Sequence, residues 1–279
     1  APGANHLELL VWASWPVLPL AAWCLWLQRR NLFAPQAAML LAATLAGMVA
    51  FLADTARITA LMPALVPLTL LAAGCAGKLR RGAAAAFDWF GMMTFTLVAA
   101  LIWLGGIAML TGEPARVAKN FSKPAPGFVA EAHPLAILLA IAATVGWIVV
   151  MLRTPRSPWR AAARWSVGLT TIWVLLAALW QPWIDYGKSY RGVSADLRNA
   201  VGRHPGCIAR QGLGLAQRAS LDYFNGIRTV GAGKSRECRH MIVQAAAGSE
   251  KDLNGWTLVR ETSRPGDKSE RLRLYRRDQ

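Results

Sequence analysis

The sequence predicts a membrane-embedded all-α bundle followed by a small α/β (α+β) domain, and three observations carry that prediction. Apolar runs recur from Leu7 to Trp183, and runs of about twenty residues are long enough to cross roughly 30 Å of hydrocarbon. Along the same stretch, short loops rich in Arg and Lys alternate with charge-poor ones. After Asp185 the composition becomes that of a soluble domain. The hydrophobic fraction of 54% and mean hydropathy of +0.31 therefore average two different regions.

The spans are expected at about 8–27, 36–53, 58–77, 87–110, 134–152 and 165–184, within a transmembrane domain over 1–184. Pro63 and Pro67 do not veto the third span, because neighbouring helices can satisfy freed backbone groups. The formal net charge is +16 and the isoelectric point is near 10.8, but position matters more than total. Arg29 and Arg30, then Lys78, Arg80 and Arg81, then Arg153, Arg156, Arg160 and Arg164 fall on one side of the expected bundle. Basic short loops stay in the cytoplasm, so six crossings place Ala1 and the tail outside; a basic tail does not contradict this, because long domains translocate largely regardless of charge. Tryptophans such as Trp12, Trp26, Trp159 and Trp183 cluster near the expected span ends, where an amphipathic ring suits the headgroup layer. The chain lacks an initiator Met and a signal peptide, and its first helix enters from outside; it reads as the C-terminal part of a longer polytopic protein.

The extracytoplasmic domain is expected over 185–279. SYRGVSADLRNAVGR places Val193, Leu197 and Val201 at helical spacing, CIARQ is a short strand, and GLGLAQRASLDYFNGI is a turn and helix. CRHMIVQA, WTLVRE and ERLRLYRR have strand character, with RPGDKSER as a Pro-Gly turn. Cys207 and Cys238, each at the start of an expected strand, are candidates for a disulfide staple of this thin core. The alternatives are a Cys2His2 zinc site with His204 and His240, whose spacing fits no compact metal motif, or two free structural thiols. Cys24 and Cys75 fall inside spans and read as packing residues. QGLGLAQ lacks the third glycine of a dinucleotide loop and reads as a tight turn into a helix.

Candidate phosphate ligands lie at the outer ends of the spans: Arg57, Arg116, Lys119, Lys123, Lys188 and Arg191. Together they would form a basic collar around a lipid-linked phosphate, which a guanidinium binds in bidentate fashion. Taken singly, such residues are snorkelling or solvated cations, and the plain reading of Arg57 is an i, i+3 ion pair with Asp54 at a helix exit. Asp88 reads as a carboxylate favoured by a helix N-terminus. His6 and Glu8 lie together before the first span. No nucleophile elbow, P-loop, HExxH or paired-Cys metal motif is present, and no cofactor is identifiable.

Five stretches carry a family resemblance: SWPVLPLAAWCLW, KLRRGAAAAFDWFGMMTF, PWIDYGKSYRGVSADL, CIARQGLGLAQRASLDYFNGI and RPGDKSERLRLYRR. In these the chain resembles the C-terminal half of bacterial GT-C-type glycosyltransferases of the aminoarabinose (lipid A) transferase-like, family 39/83-like group. The resemblance implies transfer of a sugar from a polyprenyl-phosphate carrier to a lipid acceptor at the periplasmic side of the inner membrane. It places the essential acidic residues in an N-terminal half not covered by this sequence, so this piece alone is expected to be inactive. The implied partners are the lipid-linked sugar, the lipid acceptor, membrane lipids and that missing half, but no nucleic acid. A divalent metal in the full-length enzyme stays open. The competing reading is a non-enzymatic, membrane-anchored interaction or sensory module.

Overall fold

The computed structural model describes residues 2–32, 34–53, 58–202, 206–231, 238–246 and 253–278. The chain divides into two compact units, Ala1–Leu97 with Thr144–Thr171, and Val98–Ala143 with Ile172–Gln279. The first holds α1 (Pro2–Ser14), α2 (Val17–Leu27), α3 (Pro35–Ala53) and α4 (Ile58–Ala76). It also holds the start of α5 (Arg81–Thr111), the end of α7 (Pro134–Arg153) and most of α8 (Arg160–Leu175).

Among the described residues, five helical stretches are long and apolar enough to cross a membrane, beginning at Pro35, Ile58, Arg81, Pro134 and Arg160. The expected first span over 8–27 is not a single straight helix. His6–Ser14 and Val17–Leu27 meet at 82°, so they supply a sixth crossing only if the bent pair counts as one. Pro16 sits at the break; it offers no N–H, and its ring crowds the carbonyl one turn earlier. Ser14 meanwhile turns its hydroxyl back onto the Leu10 carbonyl. Pro63 and Pro67, by contrast, lie inside a continuous α4. The alternation of the later basic loops, on which the expected side of the tail rests, is unchanged.

Small residues let these helices pack closely. At the α3–α4 crossing, a Cβ on Gly47 would lie 2.7 Å from the Ala64 backbone nitrogen. Phe51, Leu61 and Ala64 are buried beside it. Ala21 of α2 packs with Leu68, Leu71 and Ala72 of α4. The sequence suggested separate packing roles for Cys24 and Cys75, but the structure pairs them as a disulfide, with Cα atoms 5.3 Å apart.

The second unit contains α6 (Ala115–Ser122), a π-helical turn (Leu176–Trp180) and α9 (Gln181–Lys188). The π turn has a local cause. Pro182 cannot donate to the helix ladder, and the wider turn before it closes with the Gln181 N–H on the Leu176 carbonyl. The tail then forms α10 (Arg191–Val201), β1 (Ile208–Gln211), α11 (Leu215–Asn225), β2 (Thr229–Val230), β3 (His240–Ala246), β4 (Trp256–Thr262) and β5 (Glu270–Arg277).

The five strands make one mixed sheet in the order β2-β1-β3-β5-β4. β1 runs parallel to β2 and β3, whereas β5 runs antiparallel to β3 and β4. One sheet face buries Ile208, Ile242, Leu272 and Leu274 against Val193, Leu197 and Leu221 of α10 and α11. The other holds Ala209, Met241, Val243 and Tyr275 with Cys238. The expected helix–strand–helix–strands order is present; the short β2 is an addition to it.

Candidate functional site

The loop between α5 and α7 contains a helix that the sequence reading did not anticipate. α6 places Arg116 and Lys119 three residues apart, and Lys123 caps its C-terminus four residues later. That spacing lines the three cations along one helix face, and all three are exposed. Another side anchors the helix: the Phe121 ring meets Trp180 at 5.0 Å and Trp183 at 5.1 Å, edge on. Trp183 Nε1 donates to the Phe121 carbonyl at 3.0 Å, and Trp180 Nε1 donates to that of Ile102 at 2.9 Å. The basic face is therefore carried on a bolted helix.

Lys188 approaches the same region through its neighbours. A Cβ on Gly187 would lie 3.7 Å from both the Ala125 Cβ and the Pro124 carbonyl oxygen. The Tyr186 hydroxyl donates to the Pro126 carbonyl at 3.0 Å. Lys123 and Lys188 thus flank one backbone contact. Arg116, Lys119, Lys123 and Lys188 make no ion pair among the described residues. Arg191 is placed differently, with its guanidinium 5.4 Å from the centre of the Phe224 ring. Arg57 and Asp54 lie outside the described residues.

The RPGDKSER segment does more than turn the chain. A Cβ on Gly266, whose φ is +71°, would collide with the Pro124 carbonyl, so the turn needs glycine for its conformation and for its contact with the 123–128 segment. Arg264 donates to Asp267 at 2.5 Å and reaches Glu270 at 3.4 Å and the Lys188 carbonyl at 3.5 Å. Its guanidinium also covers the Tyr190 ring at 4.8 Å. The Tyr190 hydroxyl donates to Glu270 at 2.8 Å, and Gln217 donates to both at 3.3 Å. The Arg264–Asp267 pair is local, but the contacts of Arg264 with Lys188 and of Glu270 with Tyr190 and Gln217 could not be found from spacing within the sequence.

Burial, and next the hydrogen bond to the Glu270 carboxylate, push the Tyr190 hydroxyl up to about 12. Burial alone would raise the Asp267 carboxyl. The backbone and hydroxyl of Ser269, the Arg264 guanidinium and the Glu270 N–H outweigh it and hold the group well below the usual carboxylate range. The stability from neutral Tyr190 is complete below the ordinary tyrosine value of about 10. It is lost as pH rises from there through about 12. Asp267 acts in the opposite direction: its contribution is present above the ordinary carboxylate value and is lost as pH falls toward its depressed one. Tyr190→Phe is accordingly expected to flatten the alkaline limb of a tail-unfolding profile followed by circular dichroism, leaving the acid limb in place. An unchanged alkaline limb would contradict this assignment.

A third cluster lies in the first unit. Asp88, expected as a simple helix-end carboxylate, is buried, and its Oδ2 accepts from Arg160 and Arg164 at 2.8 Å each. Arg164 also donates to the Met151 carbonyl at 2.5 Å. Two residues expected as loop charges therefore form an ion triad with Asp88, in which Asp88 and Arg164 are buried and Arg160 is partly exposed.

Cys207 and Cys238 are paired as a disulfide, with Cα atoms 4.8 Å apart. If the bond persists in the protein as made by an oxidising cell, non-reducing peptide mass spectrometry will recover the two segments linked. Recovery of both thiols free would refute it. His204, required by the zinc alternative, lies outside the described residues. Among the described residues, no group of three or more His, Cys, Asp or Glu is placed to hold a metal ion.

Comparison of the chain with known protein families, with curated proteins and with solved structures returned no match.

Proposed function

We propose that this chain is the C-terminal part of a bacterial inner-membrane enzyme that transfers a sugar from a polyprenyl-phosphate carrier to a lipid acceptor such as lipid A, with its tail in the periplasm. The observation that carries the reading is the exposed row Arg116, Lys119 and Lys123, with Lys188 beside it, all without carboxylate partners among the described residues. In such a transfer the acceptor oxygen attacks the anomeric carbon as the bond to the carrier phosphate breaks. The phosphate leaves with the electron pair, and a carboxylate base takes the acceptor proton. Fixed cations stabilise the charge that develops on the leaving phosphate. This chain would supply those cations; the base would come from the preceding half that the resemblance implies.

The test uses the full-length enzyme. Arg116→Ala, Lys119→Ala or Lys188→Ala should each slow transfer about ten- to hundredfold, the loss of a charge-assisted contact of about 1.5–3 kcal/mol. Arg191→Ala serves as the comparison, because that side chain is stacked on Phe224. Wild-type turnover and carrier affinity in all three lysine and arginine variants would sink the reading. The alternative, a membrane-anchored interaction module, is favoured by a separate feature: the tail has its own sheet and its own two-sided core.

A further inference from the structure

We propose that a cleft between the first turns of α5 and α8 binds the phosphodiester headgroup of a membrane lipid that also carries a hydrogen-bond donor, as a glycerol headgroup does. The cleft has a volume of ≈ 700 Å³, and its lining includes Leu79, Arg81, Asp88, Arg156, Ser157 and Arg160. All of these belong to the first compact unit. The cleft shares no residue with the cationic row on α6.

Three observations converge on this chemistry. First, α5 begins at Arg81 and α8 at Arg160, and neither has an acidic residue in its first turn. Two helix N-termini thus bring positive dipole ends to one cleft, an arrangement suited to phosphate, although the Arg160 N–H already donates to the Ser157 carbonyl. Second, Arg81 and Arg156 are exposed and make no ion pair among the described residues. They are available as phosphate donors, whereas Arg160 is committed to Asp88.

Third, the Asp88 side chain is only 5% exposed, and among the described residues its Oδ1 has no hydrogen-bond partner. A bare anion would leave that buried acceptor unsatisfied; a ligand hydroxyl would answer it. A phosphate and a hydroxyl on one small headgroup match the two halves of the cleft. The surroundings favour a lipid as the carrier: Trp89 and Trp159, 59% and 57% exposed, flank the cleft in sequence, and such rings prefer the headgroup layer.

The experiment uses the purified full chain in detergent, mixed with phosphatidylglycerol or with phosphatidylcholine, and reads retained lipid by native mass spectrometry. Phosphatidylglycerol should be retained about tenfold or more over phosphatidylcholine, and Arg81→Gln/Arg156→Gln should abolish that preference. Arg29→Gln/Arg30→Gln, which removes equal charge from another loop, should preserve it. Equal loss in both double variants, or no loss in the first, would overturn the site. Displacement of the lipid by equimolar inorganic phosphate would also overturn the lipid assignment and give the Arg81–Arg156 pair to a free phosphate ligand.

Discussion

Replacing Asp88 by Ala is expected to destabilise the first unit by about 3–5 kcal/mol, because it strands a buried guanidinium. The Arg164 side chain is 8% exposed and, among the described residues, would keep only the Met151 carbonyl and the Met92 sulfur as partners. Removing both charges is a different experiment. Asp88→Ala combined with Arg164→Leu leaves no buried ion uncompensated, only the partly exposed Arg160, so the double variant should recover much of what Asp88→Ala loses. The measurement is unfolding in detergent, followed by helicity, over a complete double-mutant cycle. Additive single effects would show that the two side chains do not act as a unit.

The second large effect is expected at Gly47. Its missing side chain is what allows α3 to approach the Ala64 backbone, with distances from an added Cβ of 2.7 Å to N and 2.8 Å to Cα. A leucine cannot escape by choosing another rotamer, since the overlap begins at Cβ. Gly47→Leu should therefore cost at least the 1–3 kcal/mol typical of overpacking, at roughly the upper end, by forcing the two helices apart. Gly74 in α4 provides the contrast, because a Cβ there meets nothing within 4 Å. Gly74→Ala should be neutral or slightly stabilising, as is usual for relieving a helical glycine. Equal unfolding midpoints for Gly47→Leu and the parent chain would mean that α3 and α4 do not cross as described.

The contribution of sequence differs between these regions for reasons that individual residues make plain. α3, α4 and α7 lie close to their expected limits, because a helix rises a fixed distance per residue and hydrocarbon thickness selects the length of an apolar run. The tail strands were legible from alternation or β-branched content, although both faces of the sheet carry buried clusters, and Val193, Leu197 and Val201 marked the covering helix. Proline was ambiguous: Pro16 interrupts the first helical run, whereas Pro63 and Pro67 do not end α4, which packs against both α2 and α3. Composition also could not tell that Arg191 stacks on Phe224 while Lys119, equally exposed, lies on the basic face of α6.

By itself, the sequence determined where apolar helices and alternating strands can form, since periodicity and length are local properties written into consecutive residues. The tertiary structure decided which charges meet. Asp88 is separated by more than seventy residues from Arg164, and Tyr190 by eighty from Glu270. No local rule links such positions. Their pairing follows from which helix and strand ends the packed core brings together, and burial then makes each partner necessary.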